Sequence, residues 1–273
     1  MDAQQSPLIS VVTACFNARE FIESCISSVV DQTYSCYEYI VVDGGSFDGT
    51  VDVIKRYDYG IDHWVSEPDK GISDAFNKGL DLAAGDYVLI LNSDDFLAAP
   101  DILEKVAAYI ESYHFPTFLY GNCDVVNRET GGLEFHANSD FSPGRLWKGE
   151  MPPHPGLFTH RSYFEKYGTF DTAFRVAMDF ELLARGCQYE SMVHMPLTTS
   201  FVRSGGMSTT NLDVAKNEIL LALKKNGHLS SLFKTMRFKS YFASRSMIRR
   251  VLNCMGLYGI FAKLRGQSGK VPS

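Results

Sequence analysis

YVLILNSDD, residues 87–95, decides the fold: Tyr87–Leu91 is an unbroken apolar run that stops abruptly at Asn92-Ser93-Asp94-Asp95. A run this short, apolar and rich in branched side chains reads as a strand buried on both faces. Its polar stop places two carboxylates at the strand's carboxyl end. Toward the N-terminus, Leu8–Ala14 (LISVVTA) and Tyr39–Val42 (YIVV) have the same character, the second ending at Asp43 and the turn-rich GGSFDG. Between them, Phe21, Ile22, Cys25, Ile26, Val29 and Val30 recur on one helical face, with Asn17 near the start as a cap. Thr50–Tyr57 reads as a short helix, Asp62–Val65 as a short strand, and Ile72–Ala83 as a helix turning Ile72, Ala75, Phe76, Gly79, Leu80 and Ala83 inward. Strands alternating with helices imply an α/β fold whose mostly parallel sheet is flanked by helices. In open sheets of this kind ligands sit outside the carboxyl ends of the strands. Asp43, Glu67 to Asp69 and Asn92 to Asp95 are therefore expected in one crevice.

The second half is less regular. Phe118–Val126 reads as a strand and Asn127–Gly132 (NRETGG) as a hairpin turn into another. Asp179–Arg185 and Asp213–Lys225 read as helices, Met192–Met195 as a strand. Asn226 and Gly227 break the last helix, so the expected division is a catalytic domain over 1–226 and a tail over 227–273.

The chain has 273 residues, 45% hydrophobic and 13% aromatic, which excludes a disordered protein. Its six cysteines form no C-x-x-C pair, arguing against a zinc ribbon or disulfide framework and suiting a reducing cytosol. Met1 to Pro7 lacks the pattern of a signal peptide, and no apolar run reaches the roughly 20 residues of a membrane-spanning helix. The expected location is cytoplasmic.

The net charge of −6 hides an asymmetry: from Ile219 onward there are 11 Lys and Arg and no acidic residue, whereas the preceding part carries 15 against 32. Leu229, Phe233, Met236, Phe242 and Met247 interleave with Lys234, Arg237, Lys239, Arg245 and Arg249. That pattern fits helices lying in the headgroup plane of an anionic membrane. Packing on the chain's own domain, or on a second subunit of a homo-oligomer, is the alternative. Nucleic acid is not expected as a partner, because the strongly acidic remainder would repel a polyanion.

Asp94 and Asp95 have no Lys or Arg nearby in sequence, so as neighbours they would repel each other. A hard divalent cation, Mg²⁺ or Mn²⁺, would relieve this while sharing its oxygen ligands with a diphosphate. An exposed turn capping a helix that begins near Pro100 is the other reading. The glycines after Asp43 allow close backbone approach to a ligand, and Asp43 can accept hydrogen bonds from a ribose or base. Asp48 suits the cap of the following helix. The absence of G-x-G-x-x-G leaves a dinucleotide-binding oxidoreductase poorly supported. Asp74, Asn77 and Lys78 share a helix face that can equally be solvated, and Asp74 can complement the helix dipole.

In this order, ISVVTACFN, IVVDGGSFDGT, SEPDKGISDAFNKGLDLAAGDY, LILNSDD, PPHPGLFTHRSYFEKYGTFD, AMDFELLARG and SGGMSTTN resemble the family 2 inverting glycosyltransferases, from Ile9 to about Asn211. The flavour is that of the bacterial exopolysaccharide, colanic-acid-like and O-antigen branch. The resemblance implies a GT-A-type fold and transfer of a sugar from an NDP-sugar, UDP-linked by preference, to a saccharide or lipid-linked saccharide. It implies that Thr13 and Asn17 line the nucleotide pocket, that Asp43 holds base or ribose, and that Lys70 and Asp74 lie along the nucleotide. Asp94 and Asp95 stand where the family's metal motif stands, with Asn92 in its first position and Asp95 as the direct ligand. Asp179 matches the catalytic base, although Met178 replaces its usual acidic predecessor. His154 resembles the family's histidine before the acceptor side, or is a loop histidine with a backbone partner. Arg203 in RSGGMS resembles a donor-closing loop, or is a surface arginine. Asn92 and Met178 keep open a rival reading: a catalytically silent sugar-nucleotide-binding protein docked at the membrane.

Overall fold

Every residue of β1 (Ile9–Cys15) is buried, which requires cover on both faces of the sheet. The computed structural model of the chain describes residues 6–137, 141–206 and 210–254. β2 (Tyr37–Asp43) and β4 (Tyr87–Ile90) flank β1 in parallel, Ile9 lying opposite both Tyr37 and Tyr87, and β3 (His63–Ser66) extends the edge beyond β2. β8 (Leu157–His160) then runs antiparallel between β4 and β6 (Phe118–Val126). β9 (Met192–Arg203) runs parallel to β6, β5 (Phe96–Leu97) closes the far edge, and β7 (Leu133–Ala137) forms a hairpin with β6. The described strands form one mixed sheet in the order β3-β2-β1-β4-β8-β6-β9-β5.

Strand alternation divides the core between two faces. Val11, Tyr39 and Leu89 pack under α1 (Ile22–Val30), α2 (Thr50–Arg56) and α4 (Ile102–Ser112). Val12, Ile40 and Ile90 pack under α3 (Ile72–Leu82), α5 (Arg161–Tyr167), α6 (Met178–Gly186) and α7 (Leu212–Lys225). α3 can lie this close to β1 because Gly79 has no side chain: a Cβ there would stand 2.2 Å from Val12 Cγ1.

Three expectations change. Asn17 is not a helix cap: α1 starts at Ile22 without a side-chain cap, and Asn17, with φ 49°, accepts a bond from Phe47 N at 3.1 Å. β9 does not stop at Met195 but continues to Arg203, its register against β6 shifting between Tyr120 and Asn122. Pro196, which has no N–H to give a ladder, sits at that irregularity. β5 was not expected at all, because two residues carry no readable period. Asp48, by contrast, does serve the start of α2, its Oδ1 accepting from Thr50 N at 2.9 Å.

The first part of the basic tail packs on the body. α8 (Leu232–Cys254) sinks Phe238 completely into the core beside Leu229. Phe242 lies 4.5 Å from the Phe238 ring centroid, and Arg237 covers Trp147 at 4.0 Å. Leu232, Phe233 and Met236 point outward, 77%, 75% and 59% exposed. The tail's last stretch, residues 255–273, lies outside the described residues. No described helix is long and apolar enough to cross a membrane. Phe238→Ala should cost about 3–5 kcal/mol in urea unfolding, whereas Phe233→Ala should stay within about 0.5 kcal/mol of wild type.

Candidate active site

The carboxyl ends of β1, β2 and β4 open onto a cleft of about 1500 Å³, whose lining includes Asn17, Asp94, Asp95, His154, Asp179 and Arg203. Thr13, Asp43, Lys70 and Asp74 stand outside that lining. Thr13 is fully buried, its hydroxyl accepting from Tyr39 Oη at 3.2 Å, so it braces the strand behind the pocket. Asp43 is also fully buried: its carboxylate accepts from Gly45 N at 3.1 Å, Ser46 N at 2.9 Å and Ser66 Oγ at 2.6 Å. It shapes the glycine-rich loop from within, and Gly49 at φ 97° completes the turn into α2. Lys70 is exposed, with its N–H donating to Asp74 Oδ2 at 3.1 Å in the first turn of α3. Lys78 bridges to Glu67 at 2.7 Å, and Asn77 grips both backbone groups of Phe170 at 2.8 and 2.9 Å, so this face is tethered rather than merely solvated.

The Asp94–Asp95 pair is not isolated from positive charge, as sequence proximity suggested. The β6–β7 hairpin brings Arg128 within 3.1 Å of Asp94 Oδ2, and Arg203 donates to the Asp94 carbonyl and, at 2.9 Å, to Ser24 Oγ. Both guanidinium groups lie over the Phe21 ring, at 4.1 and 5.1 Å. Asp95 is 2% exposed, and burial, followed by the neighbouring Asp94 charge, pushes its carboxyl up to about 7. Asn92 holds it with a bond of 2.8 Å. Two adjacent carboxylates, one of them buried, fit Mg²⁺ or Mn²⁺, which takes oxygen donors and removes their mutual repulsion. No cluster of three His, Cys, Asp or Glu residues that could hold a metal occurs among the described residues, so an ion here would also need oxygens from its ligand.

Across the cleft, Asp179 occupies the first turn of α6, its Oδ1 accepting from Phe180 N at 2.7 Å. His154 Nδ1 stands 3.8 Å from Asp179 Oδ2, and its ring meets Phe76 edge-on at 5.9 Å. Burial holds the imidazole below its usual range, against the pull of Asp179. The backbone leading into α6 is fixed from α7: Glu218 accepts from the N–H groups of Arg175, Val176 and Ala177 at 3.0, 2.9 and 2.8 Å. These are donors at a helix start that would otherwise lack partners.

Sequence reading did not single out Phe16, Arg128 or Glu218. Phe16 lines the cleft and is 58% exposed although it directly follows the buried β1. An aromatic just past a strand end was its one available signal. Arg128 in a hairpin turn and Glu218 on a helix face carried none, since both act on residues far away in the chain. Met207 and Ser208 of the glycine-rich loop lie outside the described residues.

A family model, "Glycosyl transferase family 2", matches residues 10–178. A "PGL/p-HBAD biosynthesis glycosyltransferase" of Mycobacterium tuberculosis is 30% identical over 215 residues, covering 76% of this chain and 82% of the relative. Among solved structures, S. aureus TarS 1–349 in complex with UDP-GlcNAc superposes with a TM-score of 0.63 at 16% identity, over 90% of this chain and 72% of that one. The mannosyltransferase PcManGT from Pyrobaculum calidifontis, in complex with GDP-Man and Mn²⁺, gives 0.59 at 18% identity, over 98% and 89%. These two likenesses establish the GT-A-like fold.

The buried His154 has a pH signature. Its folded value lies below the unfolded one, so on acidification through about 6.5 the unfolded chain takes up a proton that the folded ring does not. The contribution of His154 to stability is therefore lost as pH falls. In urea unfolding, the stability advantage of wild type over His154→Gln should shrink between about pH 7 and pH 5.

Proposed function

The chain belongs to glycosyl transferase family 2 and is a glycosyltransferase, and from that premise we propose an inverting transfer from an NDP-sugar, UDP-linked by preference, to a saccharide hydroxyl. One observation carries this reading: the Asp94–Asp95 pair and the separate carboxylate Asp179 line the same cleft from different elements. Inversion at the anomeric carbon is one displacement. The bond to the diphosphate oxygen breaks as the acceptor oxygen bonds from the opposite side, and Asp179 takes the acceptor's proton. In this reading His154 orients Asp179, and Phe16 offers its face to the nucleotide base. The loop built on Thr13, Asn17 and Asp43 shapes the ribose pocket, with Lys70 and Asp74 beside it. Arg203 meets the phosphate oxygens. Asp94 and Asp95 would hold Mn²⁺ or Mg²⁺, which when bound would neutralise charge on the leaving diphosphate.

The acceptor in this reading is a lipid-linked saccharide, in the assembly of exopolysaccharide or O-antigen-like repeat units at the cytoplasmic membrane face. Residues 1–226 carry the donor-site groups, and 227–273 contribute the anionic-membrane contact. The absence of any carboxylate after Glu218 supports this, as does the outward Leu232, Phe233 and Met236.

Two measurements test the chemistry. Asp179→Asn should keep nucleotide affinity while losing on the order of 10²–10⁴-fold in kcat, the scale of a lost general base. Near-normal turnover would remove Asp179 from the mechanism. Asp95→Ala should abolish the Mn²⁺-dependent part of UDP affinity measured by calorimetry. Equal UDP affinity of the wild type with and without EDTA would sink the metal assignment.

A further inference from the structure

β6 and β7 form an amphipathic hairpin whose apolar face is buried at Cys123 and becomes exposed toward Phe135. Cys123 pairs with Ala137 and Val125 with Phe135, and strand alternation puts all four on one face. All four line the cleft. The intervening positions are polar and face the other way: His136 Nδ1 meets Asp124 Oδ1 at 2.8 Å, and Glu134 accepts from Asn127 at 2.9 Å and Ser204 at 3.0 Å. A two-sided hairpin of this kind normally buries its apolar side. Here Phe135 remains 41% exposed.

Elsewhere the same cleft is lined by Met151 and, from α7, Ile219, both packed against the core, and Ile219 lies close against Gly149. Because this groove opens into the space that Asp179 lines, an occupant of one can be covalently continuous with an occupant of the other. The side chains of Val125, Phe135, Ala137 and Ile219 supply neither donors nor acceptors, and the Met151 thioether only a weak acceptor, so this part of the cleft offers little to a saccharide's hydroxyls.

We propose that this groove is an acceptor subsite for an apolar aglycone, an alkyl or aryl group attached to the sugar that carries the accepting hydroxyl. The inference rests on the transferase reading above and narrows its acceptor to amphiphilic glycosides held by the protein itself. Phe135 sets the preference by covering the aglycone against Met151 and Ile219.

The test is a calorimetric titration of the full chain with methyl and octyl β-glucoside below micelle-forming concentrations, alongside a separate UDP titration. The octyl glycoside should bind at least about tenfold more tightly, a factor that burying two methylenes already supplies. Phe135→Ser should remove most of that gain and leave UDP affinity intact. Phe233→Ser, on the exposed face of α8, should leave the gain unchanged. Equal binding of the two glycosides overturns the proposal and leaves simple sugar stacking on Phe135. Loss of the gain in Phe233→Ser rather than Phe135→Ser overturns it too, placing the alkyl chain on α8. Failure of UDP to bind would instead refute the UDP-linked donor, with the glycoside comparison still readable.

Discussion

Glu181 is a carboxylate with no exposed surface, and the arrangement of the catalytic half depends on how its charge is met. Burial alone would push its carboxyl up, but Arg185 and Lys225 overcome that and hold it below the usual range. Arg185 grips it from one turn away on α6, while also donating at 2.8 Å to the carbonyls of Tyr167 and Thr169. Lys225, at the end of α7, reaches it at 2.8 Å and Asp171 at 2.7 Å. Removing one partner from a buried charge of this kind typically costs several kcal/mol, about 3–5. The cluster therefore leaves α6 and α7 little freedom to slide. Glu218, about two turns upstream on α7, is thereby set against the three N–H groups leading into α6. Asp179, in the next turn, inherits its position from that chain of contacts.

The loops after β1 and β2 are built by a different constraint. Asp43 draws two backbone N–H groups and two serine hydroxyls around itself, fixing a loop whose outer surface faces the cleft. Its loop partner Ser46 accepts from Asn17 N at 2.7 Å, and Asn17 in turn holds Phe47. One buried carboxylate thus organises the backbone after β1 and the backbone after β2 together. Loop shape is determined inside the protein, and the exposed groups, Phe16 among them, are left free to meet a ligand.

The parts legible in the sequence are those governed by local period or by strand ends. Tyr39–Val42, Tyr87–Leu91 and Phe118–Val126 announce buried strands because parallel or sandwiched strands are apolar on both faces. Of the polar groups at strand ends, Asp69, Asp94 and Asp95 reach the cleft, whereas Asp43 turns inward to hold its own loop and Glu67 stays outside the lining. What escaped was long-range. Nothing around residues 92–95 foretells that Arg128 will arrive from a hairpin tip, since the partner of Asp94 is 34 positions away. Glu218 reads as one more polar position on an amphipathic helix until α7 is packed against α6. β5 is too short to have a period, and Pro196 conceals that β9 resumes beyond it. Charge composition identified the unusual tail but not which of its apolar residues would turn inward, because that depends on where Trp147 and Gly149 stand.

That last point changes how the tail relates to the chemistry. Phe242 approaches the positions of Gly149 and Tyr241 packs on Trp147 at 5.5 Å, so α8 is braced against the segment that leads into Met151 and His154. The same Gly149 touches Ile219, on the groove's wall. The helix that carries the exposed apolar face and the cleft wall at Gly149 and Ile219 therefore belong to one packed layer. A surface that holds α8 by Leu232, Phe233 and Met236 would also position the part of the cleft lined by Gly149 and Ile219. In the proposed reading, acceptor position and surface attachment are set through this one helical layer, while the nucleotide loop is shaped from within by Asp43.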